Sequence, residues 1–123
     1  MARWRSGNAD VCKTSTAGVR FPHAPPSMIV HLALYKWKKT ANKEEVNRIV
    51  KKIKLLKNRI EGIKDIKAGE NFSKYNLGYS HAFVVFAEDK KSLEKYKNNK
   101  THKEIAIKIE RIEEESLGFD FED

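Results

Sequence analysis

Gly78-Tyr79-Ser80-His81-Ala82-Phe83-Val84-Val85-Phe86 is a short apolar run headed by a histidine. Its Val and Phe content reads as a strand, and its near-continuous apolarity places it inside a sheet. An unpartnered imidazole is costly at such a place. His81 therefore reads either as a partnered core histidine or as the polar wall of a pocket. Phe83 and Val85 share its face by alternation and would give such a pocket apolar walls. Tyr96 and His102 follow six residues apart and bring a phenol and a second imidazole into the next segment.

Upstream, Met28 to Trp37 is a second apolar strand, expected to be buried on both faces. Alternation puts Ile29, His31, Ala33 and Tyr35 on one side and Val30, Leu32 and Leu34 on the other. A helix follows. Asn42 is its expected cap, with Glu45 completing a capping box. Val46, Ile49, Val50, Ile53, Leu56 and Ile60 form one apolar stripe, and Gly62 is the expected stop. Ile63 to Glu70 reads as a weaker strand and 71–78 as a polar loop. Asp89 caps a short helix holding Leu93 and Tyr96. Asn98-Asn99-Lys100 interrupts it before a helix from about Thr101 to Arg111. Ser116 to Phe121 closes the chain as a strand. The order β-α-β-β-α-α-β is a ferredoxin-like α+β arrangement with a four-stranded antiparallel sheet. Helices cover one sheet face. The other carries Leu, Val and Phe and would be wet in a monomer, which marks a partner surface. The expected partner is a second copy about a twofold axis, with the two sheets closing an α+β barrel.

Composition sets the outer limits. The chain has 123 residues, suited to one domain. The net charge is +8, with 34% charged and 40% hydrophobic residues. Residues 1–27 hold all three prolines, the single cysteine Cys12, and a different Arg/Lys balance from the rest. They read as a disordered leader or a non-native extension with Met28 as the natural start. A targeting peptide and a functional arm are the alternatives, and the domain is expected at 28–123. No apolar run is long enough to cross a bilayer, and a cytoplasmic location is the expectation. Lys51, Lys52, Lys54, Lys57 and Arg59 crowd one helix. With no aromatic interleaving and an acidic C-terminal end, they read as a solvated face, so nucleic acid is not the expected partner. The histidines lack zincin spacing. Neither metal nor cofactor is expected, and His23 falls in the leader.

Several pieces then resemble a known family in order and spacing. They are Val30-His31-Leu32, Ile60-Glu61-Gly62-Ile63, Ala68-Gly69-Glu70-Asn71-Phe72-Ser73, Gly78-Tyr79-Ser80-His81, Leu93-Glu94-Lys95-Tyr96, His102 and Phe119-Asp120-Phe121. Together they are similar to the stress-responsive A/B barrel, or dimeric α+β barrel (Dabb), family over residues 28–123. That resemblance implies a homodimer with a cavity between sheet and helices. It also implies a relation to olivetolic acid cyclase, a plant member that closes a linear polyketide in such a cavity. Its tyrosine and histidine match Tyr96 and His102, and its strand histidines match His31 and His81. Two places depart from the pattern: Asn99-Lys100-Thr101-His102 lacks a family proline, and Glu113-Glu114-Glu115 stands where the cyclase has aromatic lining.

The expected catalytic pair is thus His102 as general base and Tyr96 as hydrogen-bond donor. His31, His81, Phe83 and Val85 are the expected ligand-binding wall, for a small hydrophobic or polyketide-like ligand and a cyclase- or isomerase-like step. The alternative is a non-catalytic, stress-associated structural dimer in which these residues only pack.

Overall fold

The computed structural model describes residues 27–123. The expected leader, Cys12 and His23 lie outside the described residues apart from Ser27. The elements run β1 (Ile29–Trp37), α1 (Lys43–Leu55), β2 (Ile63–Glu70), β3 (His81–Ala87), α2 (Lys90–Asn98), α3 (Lys100–Ile112) and β4 (Glu113–Glu122). The strands form one sheet in the order β2-β3-β1-β4, with every neighbouring pair antiparallel. This is the ferredoxin-like α+β fold read from the sequence.

The core lies between the sheet and the three helices. Ile29, Ala33, Phe83, Val85, Ala87, Ile63 and Ile66 face it from the strands. Val46, Ile49 and Ile53 of α1, Leu93 and Tyr96 of α2, and Ile105 and Ile109 of α3 face it from above. Each large side chain so buried contributes about 1.5–3 kcal/mol.

Three details differ from the sequence reading. α1 ends at Leu55, not at Gly62. Leu56–Asn58 tighten into a 3-10 turn that keeps Leu56 buried while steering the chain toward β2. Gly62 instead makes the turn into β2. Its φ is +88°, and a Cβ there would sit 2.0 Å from the Ser92 hydroxyl, so only glycine fits. Asn42 does cap α1, but its side chain accepts from the backbone N–H of Glu44 at 2.8 Å, one residue before the capping-box position. Finally, β1 is not buried on both faces. Val30, Leu32 and Leu34 are only half-buried, and they continue sideways into Val84 and Phe86 of β3 and Leu117, Phe119 and Phe121 of β4. Phe119 is 59% exposed. This face is an open apolar layer. Among the described residues no helix is long and apolar enough to cross a membrane.

Candidate functional site

A gap in the sheet's inner face creates the site. In the register between β1 and β4, His31 faces Asp120, Ala33 faces Gly118 and Tyr35 faces Ser116. The middle pair is nearly without side chain. A Cβ built on Gly118 would meet nothing within 4 Å. The result is a cavity of about 320 Å³ between these strands and α2 and α3. His31, Phe83, Tyr96 and His102 all line it, with Lys97, Glu110 and Glu113 also contributing.

Tyr96 and His102 reach it from different helices. Asn99 is the corner. Its N–H donates to the Tyr96 carbonyl at 3.2 Å and ends α2. Its side-chain oxygen accepts from the His102 N–H at 3.1 Å and starts α3. The two rings come to 4.4 Å, tilted by 51°. Tyr96 is 2% exposed. Burial, with Tyr35 adding, raises its pKa and keeps the phenol protonated. Burial also lowers the pKa of His102. The Lys97 backbone pulls it up, and the charges of His31 and Lys97 lower it further. His102 is therefore neutral at pH 7. Its Nδ1 is buried and has no hydrogen-bond partner among the described residues.

His31 is tied from the other side. Its Nδ1 lies 2.5 Å from the Asp120 carboxylate, and Lys97 Nζ lies 3.4 Å from the second oxygen. Burial works to raise the Asp120 pKa, but the His31 contact and the Lys97 charge outweigh it and hold the carboxyl below its ordinary value. An ionised Asp120 can only accept, so Nδ1 carries the proton and the ring orientation of His31 is fixed.

Two of the expected wall residues fall elsewhere. His81 does not line this cavity. Its Nδ1 accepts from Trp37 Nε1 at 2.9 Å, and burial lowers its pKa. His81 is thus partnered, and it also lines a different hollow, the one on the open sheet face. Val85 is fully buried in the core and touches no cavity surface, because the next strand and the helices close over it. Asp120 and Gly118, by contrast, took part in no site argument from the sequence. Their β-strand alternation with Phe119 and Phe121 could have flagged both as inward-facing.

Tyr35 borders the cavity next to Glu113. Burial, then the Glu113 charge, pushes its pKa up to about 12. Among the described residues no group of three His, Cys, Asp or Glu side chains is placed to hold a metal ion. A second hollow, about 580 Å³, lies on the open sheet face. There the 71–79 loop overhangs Leu34, Val84 and Leu117.

Known proteins share this fold. None of the curated proteins matches the chain. Among solved structures, an Arabidopsis thaliana protein is similar at 27% identity and TM-score 0.68, covering 76% of this chain and 92% of its own. The hydroxynitrile lyase of Passiflora edulis superposes with TM-score 0.73 at 16% identity, covering 80% and 95%. A dimeric ferredoxin-like protein from Thermobifida fusca does so with TM-score 0.70 at 17% identity, covering 85% and 98%. The sequence profile of the stress responsive A/B barrel domain matches residues 29–123, and the chain belongs to that family.

Proposed function

We propose that this protein is a homodimer that holds a small, largely hydrophobic carbonyl compound in the His31/Tyr96/His102 cavity and moves a proton on it, in a cyclase- or isomerase-like step. The observation that carries the reading is the pairing of His102, which burial keeps neutral, with the Tyr96 ring at the wall of a cavity of ligand size. A neutral imidazole at the wall of such a cavity can exchange a proton with a ligand.

The roles follow from protonation states. His102 takes a proton from a carbon next to a carbonyl, so the C–H bond breaks and an N–H bond forms. The electron pair passes to the carbonyl oxygen. Tyr96, held protonated by burial, donates a hydrogen bond to that oxygen as it becomes negative. In a cyclisation the enolate carbon then attacks a second carbonyl, and the imidazolium returns its proton to the new alkoxide. His31, oriented by Asp120, positions the ligand's polar end. A relative with this fold named as a hydroxynitrile lyase supports the idea that the architecture can carry an active site.

The open sheet face supports the dimer. Leaving Leu117, Phe119 and Phe121 about half exposed is unfavourable for a monomer, and a structural neighbour is described as dimeric. The 71–79 loop extends the same surface. Phe72 is 99% and Leu77 83% exposed. The loop is nonetheless held in shape, with Asn71 accepting from the Ser73 N–H and Asn76 from the Gly78 N–H, each at 2.8 Å. A loop that fixes apolar side chains outward suits a grip on the partner copy.

The test is a thermal-shift screen of linear and cyclic β-polycarbonyl compounds, followed by turnover assays on hits. Hits that stabilise the protein and turn over, with turnover lost in Tyr96→Phe and His102→Ala, support the reading. A dimer that binds none of them, and whose variants behave as the parent does, would mean that the residues only pack.

A further inference from the structure

We infer that the seam between α1 and α3 binds a soluble, multiply charged oxyanion of the phosphate class. The two helices pack antiparallel, so the start of α1 meets the end of α3. Arg48 and Lys52 of α1 face Lys108 and Arg111 of α3 around a cleft of about 190 Å³. A second depression of about 270 Å³ is lined by the same two lysines and Arg59. The two clefts are neighbours that share Lys52 and Lys108.

Five exposed cations thus line the seam. The carboxylates lining it are Glu45 and Glu104. Neither forms an ion pair there. Among the described residues the ion pairs are His31–Asp120, Lys36–Glu115, Lys57–Asp65 and Lys97–Asp120, all elsewhere. Lys52 and Lys108 even oppose each other. Contact with Lys108, then its charge, slight desolvation and the charge of Arg48 lower the Lys52 pKa, while Glu104 works to raise it. Both side chains are exposed; like charges so placed repel, and an anion between them reverses the sign of that interaction. Guanidinium groups at both ends supply bidentate donors for phosphate oxygens, with point-charge ammonium groups between them. The Thr101 hydroxyl borders the second cleft.

The seam lies on the helical layer, turned away from the open sheet face. Dimerisation through the sheet leaves it accessible, and the inference does not depend on the chemistry of the His102 cavity. α1 by itself reads as a solvated basic face. α3 by itself carries Lys100, Lys103, Lys108 and Arg111 against Glu104 and Glu110. Only their packing concentrates the cations.

The experiment is calorimetric titration of the whole chain with sodium tripolyphosphate against sodium chloride at matched ionic strength, which separates a site from general screening. Lys52→Gln with Lys108→Gln is the test variant. Lys54→Gln with Lys64→Gln, two exposed lysines outside the seam, is the control with the same net charge. One tripolyphosphate bound per chain, with affinity falling about tenfold or more in the test variant and little in the control, supports the site, since each charge-assisted hydrogen bond is worth about that factor. Both variants should show the parent circular dichroism, because all four lysines are exposed. Equal weakening in the two variants would reduce the effect to the net charge of +8. No heat beyond the chloride titration would overturn the inference. So would retention on phosphatidylserine vesicles or duplex DNA without affinity for tripolyphosphate.

Discussion

The Tyr96 and His102 rings stand 4.4 Å apart although they belong to different helices, because Asn99 ends one helix with its backbone and begins the next with its side chain. Asn99→Ala removes the cap on α3. It should cost about 1 kcal/mol of stability, as cap losses do, measured by urea denaturation. Turnover on any identified ligand should fall further than that loss explains, because the two rings lose their common corner.

His102→Leu separates catalytic from structural roles. The Nδ1 of His102 has no partner, so replacing the ring with an apolar side chain removes a desolvation cost of about 1–3 kcal/mol. Stability should hold or rise in the denaturation midpoint. A fall of several kcal/mol would reveal a hydrogen bond that holds the fold together.

Acidification should destabilise the protein through two histidines. His81 and His102 both have folded-state pKa values below the ordinary 6.5. The unfolded chain therefore binds protons first, and stability present above about pH 6.5 is lost as the pH falls toward the depressed values. His81 also accepts from Trp37 Nε1, which a protonated Nδ1 cannot do. Denaturation midpoints at pH 7.5 and 5.5 should differ, and the difference should shrink in His81→Gln. An unchanged difference in that variant would remove His81 from the account.

Gly118→Val tests the cavity by filling it. A Cβ at Gly118 meets no atom within 4 Å, and β-branched residues suit strands. The variant should be as stable as the parent or up to about 1 kcal/mol more so. It should also fail to bind the ligands that stabilise the parent. Retained binding would place the ligand elsewhere.

Phe119→Lys with Leu117→Lys places two charges on the open sheet face. The parent should sediment as a dimer and the double variant as a monomer, with the helical signal retained. Phe72→Ser with Leu77→Ser should weaken the dimer without abolishing it. A monomeric parent would refute the dimer, and an unaffected loop variant would restrict the interface to the sheet.

Local pattern carried much of this molecule. The apolar run Phe83 to Phe86 marks a strand, and the three-and-four spacing from Val46 to Ile53 states which side of a helix turns inward. The caps at Asn42 and Asp89 mark where helices begin. With the order of elements, that was enough to give the sheet topology and to leave one face bare. Alternation put His31 and Phe83 on the inner side and the family resemblance added Tyr96 and His102, and the four meet around one cavity.

What local pattern could not carry was adjacency between distant segments. Strand parity puts His81 and Val85 on the same inner side as His31, yet His81, held by Trp37, lines a different hollow and the core closes over Val85. The hole above Gly118 exists only because β4 pairs in a register that sets it opposite Ala33. That same register delivers Asp120 to His31. The basic seam arises where α1 crosses α3. Periodicity along a chain fixes orientation, since each side chain's direction depends on its own backbone. Which side chains finally touch depends on register and helix packing, and those are settled by burying the whole core at once.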